Sequence, residues 1–256
     1  MLVLLWVHAD GRSGPAWAAA ATRAAGSHRP IQAELGYAHE TLSNGSPDWR
    51  ELYLRGKKTY RPRTALYGMF RLTERFGLSD QEFTLGGSYP LNSRWTAAVE
   101  GTYSPSAMVL PRWSATGELH RNLGGGFGLQ FALRHREYAT GVVDTGSLTI
   151  ERYWASYRAA YTLSVSQLAG VSTAVHIVQG NYYYGDQSSV SLSLATGQEA
   201  ETVGAGVIRI IDVPSADLTV RHWLNPDWAV TVGVGLSQVG TLYTRRRAQI
   251  GFRWQF

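Results

Sequence analysis

The chain has 256 residues, 24 Lys and Arg against 19 Asp and Glu (net charge +5), no cysteine, and a generous supply of Gly (28), Tyr (14) and Trp (9). No disulfide framework can form, and no run of about 18 consecutive apolar residues marks a membrane-spanning helix, although a membrane barrel would leave no such run because apolar and polar positions alternate. The arginines are dispersed rather than gathered on one helix, so the basic balance does not read as a nucleic-acid surface.

At the start, Met1 to Val7 is apolar and Ala16-Trp17-Ala18 has the small-any-small form of a signal-peptidase site. No basic residue precedes the apolar run, and Asp10 and Arg12 follow it. Residues 1–18 are expected to be an imperfect export signal and 19–30 a flexible periplasmic leader, with a plain disordered leader as the alternative. Residues 31–256 are expected to form the folded unit.

From Ile31 onward the period is two, which is the period of a strand with two unlike faces. Ile31, Ala33, Leu35 and Tyr37 alternate with polar or small residues, and so do Leu52 and Leu54, then Leu66, Gly68, Phe70 and Leu72. Lys57 to Arg63 is expected to turn. The alternation continues through Phe83–Tyr89, Trp95–Gly101, Trp113–Leu119, Phe127–Leu133, Leu148–Ile150 and Tyr157–Val165. In the segment Ala174 to Tyr184, Val178, Gly180, Tyr182 and Tyr184 are placed outward. Val190–Leu194, Ala216–Val220, Trp228–Leu236 and Arg245–Phe256 complete the series. The expectation is fourteen strands, with twelve as the alternative count. Connections near Pro90, Asn122, Trp154, Gly185 and Asn225 are short. Those at Thr41–Pro47, Ser104–Leu110, Ala139–Asp144 and Ala200–Ser215 are longer. Proline falls in turns and at strand ends, as a hydrogen-bonded ladder requires.

The two faces separate a membrane barrel from a soluble sandwich. A sandwich face meets a core and calls for large, close-packed side chains. Here the apolar face mixes Leu and Val with Ala33, Ala97, Ala115, Gly68, Gly87 and Gly117, a surface that lipid accepts. The other face carries charge in strand after strand: Glu34, Glu51, Arg55, Arg71, Glu82, Glu100, Glu118, Arg134, Glu151, Arg158, Asp217, Arg221, Arg247 and Arg253. Only Lys57 and Lys58 are lysines, and arginine is the cation suited to crowded, partly desolvated pairing with carboxylates. Tyr89, Trp95, Trp113, Trp154, Tyr157, Trp228 and Trp254 gather at strand ends, like interfacial girdles. The fold expected is all-β, a single up-and-down antiparallel transmembrane barrel with short periplasmic turns and longer extracellular loops.

The last strand, Arg245 to Phe256, resembles the closing strand of bacterial outer-membrane barrels. Gln249, Gly251, Trp254 and Phe256 fill the polar, glycine and aromatic places of the pattern that the barrel-assembly machinery uses. Across the seam, Arg245, Arg247 and Arg253 are expected to lie against Glu34 and Glu40. Six further runs resemble the YaiO-type outer-membrane β-barrel family: Glu34-Leu35-Gly36-Tyr37, Leu42-Ser43-Asn44-Gly45-Ser46-Pro47-Asp48-Trp49, Thr73-Glu74-Arg75-Phe76-Gly77, Arg134-His135-Arg136-Glu137-Tyr138, Asn181-Tyr182-Tyr183-Tyr184-Gly185-Asp186 and Arg221-His222-Trp223-Leu224. The resemblance implies a single barrel in the bacterial outer membrane. It implies little about activity. Some family members follow a helical-repeat segment and look like parts of surface-polysaccharide export systems; this chain contains no such repeat.

A fourteen-strand barrel has a backbone diameter of about 28 Å and a side-chain-lined lumen of about 12–15 Å. The function expected is a narrow channel with an Arg/Glu-lined lumen, for saccharide or surface-polysaccharide export. Charges segregated on opposite walls would favour a wet pore; charges paired across the lumen would favour the alternative, a plugged structural or anchoring barrel. A lipid-modifying enzyme is the third reading, with His39 and Ser43, or His135 and Ser104, as its only Ser/His candidates. No Gly-x-Ser-x-Gly turn or His-x-x-x-His spacing supports it, so no catalytic residue, metal or cofactor is expected. Tyr53, Tyr67 and Trp223 are candidates for stacking on sugars inside the lumen. The expected partners are outer-membrane lipid, the assembly machinery, and saccharides or periplasmic export components.

Overall fold

The computed structural model of the protein describes residues 29–203 and 207–256. The expected export signal and nearly all of the expected leader lie outside these residues. Fifteen strands follow one another. The first eight are β1 (Ile31–Leu42), β2 (Trp49–Arg61), β3 (Thr64–Arg75), β4 (Leu78–Pro90), β5 (Trp95–Tyr103), β6 (Trp113–Gly124), β7 (Phe127–Tyr138) and β8 (Gly141–Trp154). Then come β9 (Tyr157–Leu168), β10 (Val171–Tyr184), β11 (Ser188–Val203), β12 (Val207–Asp212), β13 (Ser215–Trp223), β14 (Trp228–Val239) and β15 (Tyr243–Gln255).

Each strand pairs antiparallel with its sequence neighbours, except around β12. There β11 pairs with β10 on one side and β13 on the other over its first half, while its far end pairs only with β12. The seam closes between β1 and β15, in the register Glu34↔Arg253, Tyr37↔Ile250 and Glu40↔Arg247. Fifteen strands less β12 give a closed ring of fourteen. Closure leaves no unpaired ladder edge within the ring of fourteen, which is what allows its strands to sit in hydrocarbon at all.

Parity along the strands sorts the side chains as the sequence pattern requires. Outward positions are apolar and open, for example Leu85 at 64%, Val99 at 67% and Leu133 at 74% exposure; in a solvated sheet such a band would be an aggregation surface, whereas lipid covers it. On β10, Val178, Gly180 and Tyr182 face outward and the odd-numbered residues inward. At one rim Trp154, Tyr157, Tyr182 and Tyr184 stack in series, with centroids 6.0, 5.2 and 6.0 Å apart. Asparagine side chains tie the short turns at that rim. Asn92 accepts from the backbone of Arg94 and Trp95, and Asn225 from that of Asp227 and Trp228.

Three connections differ from the sequence expectation. β2 runs on to Arg61 instead of turning at Lys57, because Lys57 and Thr59 keep the inward parity and a register shift between Thr59 and Arg61 absorbs the irregularity before Pro62. The link at Ala139–Asp144 is a tight reversal between Tyr138 and Gly141, since Val142 and Val143 continue the ladder opposite Glu137 and Arg136. Ala200–Ser215 is a strand hairpin, described below, and not an irregular loop.

Candidate functional site: a charged lumen under a covered mouth

Every charged residue expected inside falls on the inward parity of its strand, the one shared with Glu34 on β1, Glu82 on β4 and Arg158 on β9. The charges are arranged along the wall. Arg71 on β3 reaches Glu51 on β2 at 3.2 Å and Glu82 on β4 at 2.6 Å. Arg158 on β9 donates to Glu151 on β8 at 2.8 Å and to Asn181 on β10 at 3.0 Å, while His120 lies 2.9 Å from the other Glu151 oxygen. At the seam, Arg253 Nε donates to Glu34 at 2.6 Å, and Glu40 is flanked by Arg245 at 3.0 Å and Arg247 at 3.7 Å. These pairs join strands that are neighbours or next but one. They are neither split between opposite walls nor strung across the lumen.

Tyr53 and Tyr67 are part of this wall. Each ring lies flat over a glycine of the next strand, Gly36 and Gly86, where any Cβ would collide with it. The hydroxyls donate to Glu34 at 2.9 Å and Glu100 at 3.0 Å. Both rings therefore act as braces of the wall, and Trp223, the third candidate for stacking on sugars, is inward and half-buried.

At the extracellular end the inward face turns apolar. The β11–β12 hairpin beyond Gly197 leaves the wall and lies across the opening. Its Ile211, with Val213, packs into a cluster with Leu42, Trp49, Val239 and Tyr243 from β1, β2, β14 and β15. Its Ala200 and Ile208 pack with Tyr138, Val143 and Leu168 from β7, β8 and β9. β8 stands seven strands from β1 in a ring of fourteen, directly opposite. The hairpin thus touches both sides of the mouth. Trp49 is its main seat, edge-on to Phe76 at 5.1 Å and to Tyr243 at 6.4 Å, with the Arg75 and Arg245 guanidinium groups 4.8 and 5.1 Å from its ring.

Glu201 on this hairpin is 1% exposed, and its Oε2 has no hydrogen-bond partner among the described residues. Burial alone pushes its carboxyl up to about 8. Arg209 is opposite it on β12 but points to solvent. A second extracellular segment also folds inward. The link between β5 and β6 is pinned to β4 by Asp80, whose carboxylate accepts from the backbone of Met108, Val109 and Leu110 at 2.9, 2.7 and 2.8 Å. Asp80 is not among the charged residues that the sequence pattern places inside. It lies two residues from Glu82 on the same strand face, so extending the inward parity by one step would have found it.

The two Ser/His candidates are not assembled. His39 is bound to Asp48 at 3.0 Å while Ser43 accepts from the backbone of Thr244. His135 is bound to Asp144 at 2.7 Å and tilted onto Trp113, whereas Ser104 is wholly buried under the β5–β6 link.

The sequence pattern of the YaiO membrane beta barrel domain matches residues 31–202. The chain belongs to this family. No curated protein matches it. Among solved structures, a bacterial polysaccharide outer membrane secretin is similar at 10% identity over 90% of this chain and 100% of that one, with a TM-score of 0.58. OmpF of Salmonella typhi, in a complex with daunomycin, is similar at 9% identity over 88% and 97%, with a TM-score of 0.51. A KdgM porin follows at 13% identity over 87% and 99%, with a TM-score of 0.47. At such identities the likeness carries the porin-like barrel fold alone. Family and fold place the protein in the bacterial outer membrane. In this YaiO barrel the family-like runs supply both ends of the lumen. Leu42, Trp49, Phe76 and Tyr138 are at the mouth, and Glu34, Asn181 and Arg221 lie toward the periplasm.

Proposed function

We propose that this barrel is a narrow channel for polar solutes, saccharides among them, whose outer mouth opens when the β11–β12 hairpin moves. The observation that carries this reading is the contrast inside the lumen. Below the mouth the wall is polar, its ion pairs join neighbouring strands within the wall, and Arg55, Glu100, Glu118, Gln130 and Arg134 stay partly exposed. A wall finished in this way leaves its axis to water. The apolar contacts that cross the lumen belong to the hairpin, and a hairpin held by contacts to opposite walls can release one side without unfolding the ring.

The plugged, anchoring barrel is the second reading, and the packed mouth together with the matched Glu40, Arg245 and Arg247 favours it. Excision separates the two. Residues 198–212 are replaced by a short Gly-Ser turn, and wild type and variant are compared in planar bilayers. The channel reading expects brief, small openings in wild type and a large steady conductance in the variant. Silence in both would leave the anchoring barrel. We also take the barrel to act without catalysis, as a porin-like conduit; an altered lipid profile in a deletion strain, restored by wild type and not by His135→Ala, would contradict that.

A further inference from the structure

The inward side chains near the periplasmic opening are out of charge balance on one side of the barrel. Arg221 on β13, Arg253 on β15, and Arg55 and Lys57 on β2 all face the lumen, half-buried. One carboxylate, Glu34 on β1, sits in their midst, directly opposite Arg253 and Arg55 in register. It is already engaged by Arg253 and by the Tyr53 hydroxyl. Arg55 makes do with the Met69 sulfur at 3.7 Å and the Tyr53 ring at 5.7 Å. Arg221 donates to Thr231 at 3.3 Å; it is repelled by Arg253 and Arg55, and Glu34, which it shares with Arg253, attracts it from beyond ion-pair distance. Lys57 lies in the field of Arg253. Among the described residues, Arg55, Lys57 and Arg221 have no carboxylate within ion-pair distance. Gathering like charges against a low-dielectric wall is unfavourable unless an anion compensates them.

The layout also says what kind of anion. From β13 to β2 is four strand spacings, an arc of about 19 Å. A single chloride or phosphate spans one or two of these cations; an oligomer with repeated negative charge spans all of them. The facing wall offers hydrogen-bonding groups at the same depth, with Asn181 and Gln179 around the Arg158–Glu151 pair. Trp223 is two residues from Arg221 on the same face and gives a flat apolar surface suited to a sugar ring. We infer that Arg55, Lys57, Arg221 and Arg253 form a binding track for an acidic oligosaccharide, entered from the periplasmic end. The inference rests on the channel reading only for transport. Binding itself requires an open periplasmic end and nothing more.

The test uses the full barrel and a triple variant, Arg55→Gln with Lys57→Gln and Arg221→Gln, its folding checked by heat-dependent gel mobility. The probe is a hexasaccharide of alternating glucuronate and N-acetylglucosamine, with maltohexaose and inorganic phosphate as comparisons. In bilayers, wild type is expected to prefer chloride over potassium and to be blocked by the acidic hexasaccharide from the periplasmic side. Losing three charge contacts should weaken the block by about tenfold or more. Equal block by maltohexaose, a cation preference in wild type, or an unchanged triple variant would overturn the inference while leaving the channel intact. Competition by phosphate alone, at the same concentration as the oligosaccharide, would reduce the track to a site for small anions and so also overturn it. If no current flows, calorimetric titration of detergent-solubilised protein with the same hexasaccharide decides. Binding lost in the triple variant upholds the track although the channel reading has failed, and no binding to wild type removes it.

Discussion

Val239 and Arg221 stand on the inward face of neighbouring strands, one toward each end of the lumen, and their surroundings differ completely. Val239 has no exposed surface and is packed beneath Ile211 and Val213 of the hairpin. Arg221 keeps part of its surface open and lies in the field of two cations, Arg253 and Arg55, and one carboxylate, Glu34. The strand ladder cannot be the cause, since both residues are paired in it, Arg221 opposite Thr231 and Val239 opposite Tyr243. What differs is the connection that follows. Toward the periplasm the links are tight turns, three of them tied by the side chains of Asn92, Asn122 and Asn225, too short to fold back. At the outer face the link between β11 and β13 is long enough to make a hairpin and lie across the opening. A barrel wall fixes which side chains point inward; the connections decide whether those side chains meet water or protein.

The largest effect should come from the seat of the hairpin. Trp49→Ala removes the ring that holds Phe76, Tyr243 and two guanidinium groups, and should cost about 3–5 kcal/mol in urea unfolding, the range for a buried tryptophan. Amide exchange in β12 should accelerate in the same variant, with β5 unchanged. An equal acceleration throughout would mean that the two ends do not behave as separate regions.

Glu201 should make the cover sensitive to pH. Its carboxyl is raised to about 8 when covered and returns to the ordinary carboxylate range when the hairpin swings out. The covered state therefore holds more protons. Its advantage is complete below the ordinary carboxylate value of 4.5, is eroded as pH rises toward about 8, and is lowest above that. Channel openings, or β12 exchange, should rise from acid to pH about 8 and then level off. Glu201→Gln should flatten this profile. Openings that increase on acidification would contradict the assignment.

The smallest effect should be at the other end. Tyr53→Phe removes one hydrogen bond to Glu34 and leaves the ring over Gly36, so it should cost about 1 kcal/mol and leave the mouth unaffected. A change in β12 exchange would show that the two ends are coupled through the wall.

These residues also mark what could be read in the sequence. The alternation from Ile31 to Phe256 carries the barrel and the inward side of the charged residues expected inside, because strand parity is a local property; Lys57 and Asp80, at expected turns or strand ends, escaped it. The seam pairing of Glu34 with Arg253 and of Glu40 with Arg245 and Arg247 follows from the first and last strands being the ones that must close the ring. Parity says nothing about depth or cover. Trp49 was legible as part of a family-like run and not as the floor of a lid, because its partners Phe76, Tyr243 and Ile211 are remote in sequence. The hairpin itself was available. Glu199 to Val203 and Val207 to Ile211 flank Gly204-Ala205-Gly206, a strand–turn–strand signal that the shortness of the alternation concealed. Tyr53 and Tyr67 read as lumen-facing rings with sugar stacking as one option, and the sequence does not reveal that each faces a glycine on the adjoining strand.

A reversible lock on the hairpin tests the central claim most directly. A Cβ built at Gly240 lies 3.4 Å from that of Ile211, near the Cβ separation of a disulfide; Gly240 has φ 49°, so a cysteine there carries some backbone strain, and the chain has no other cysteine to interfere. In the Ile211→Cys, Gly240→Cys double variant, current through single barrels is followed before and after addition of reductant. The account predicts a silent barrel while the disulfide is intact and wild-type openings once it is reduced. Identical currents in both states, with the disulfide verified by mass, would show that the hairpin is not the gate.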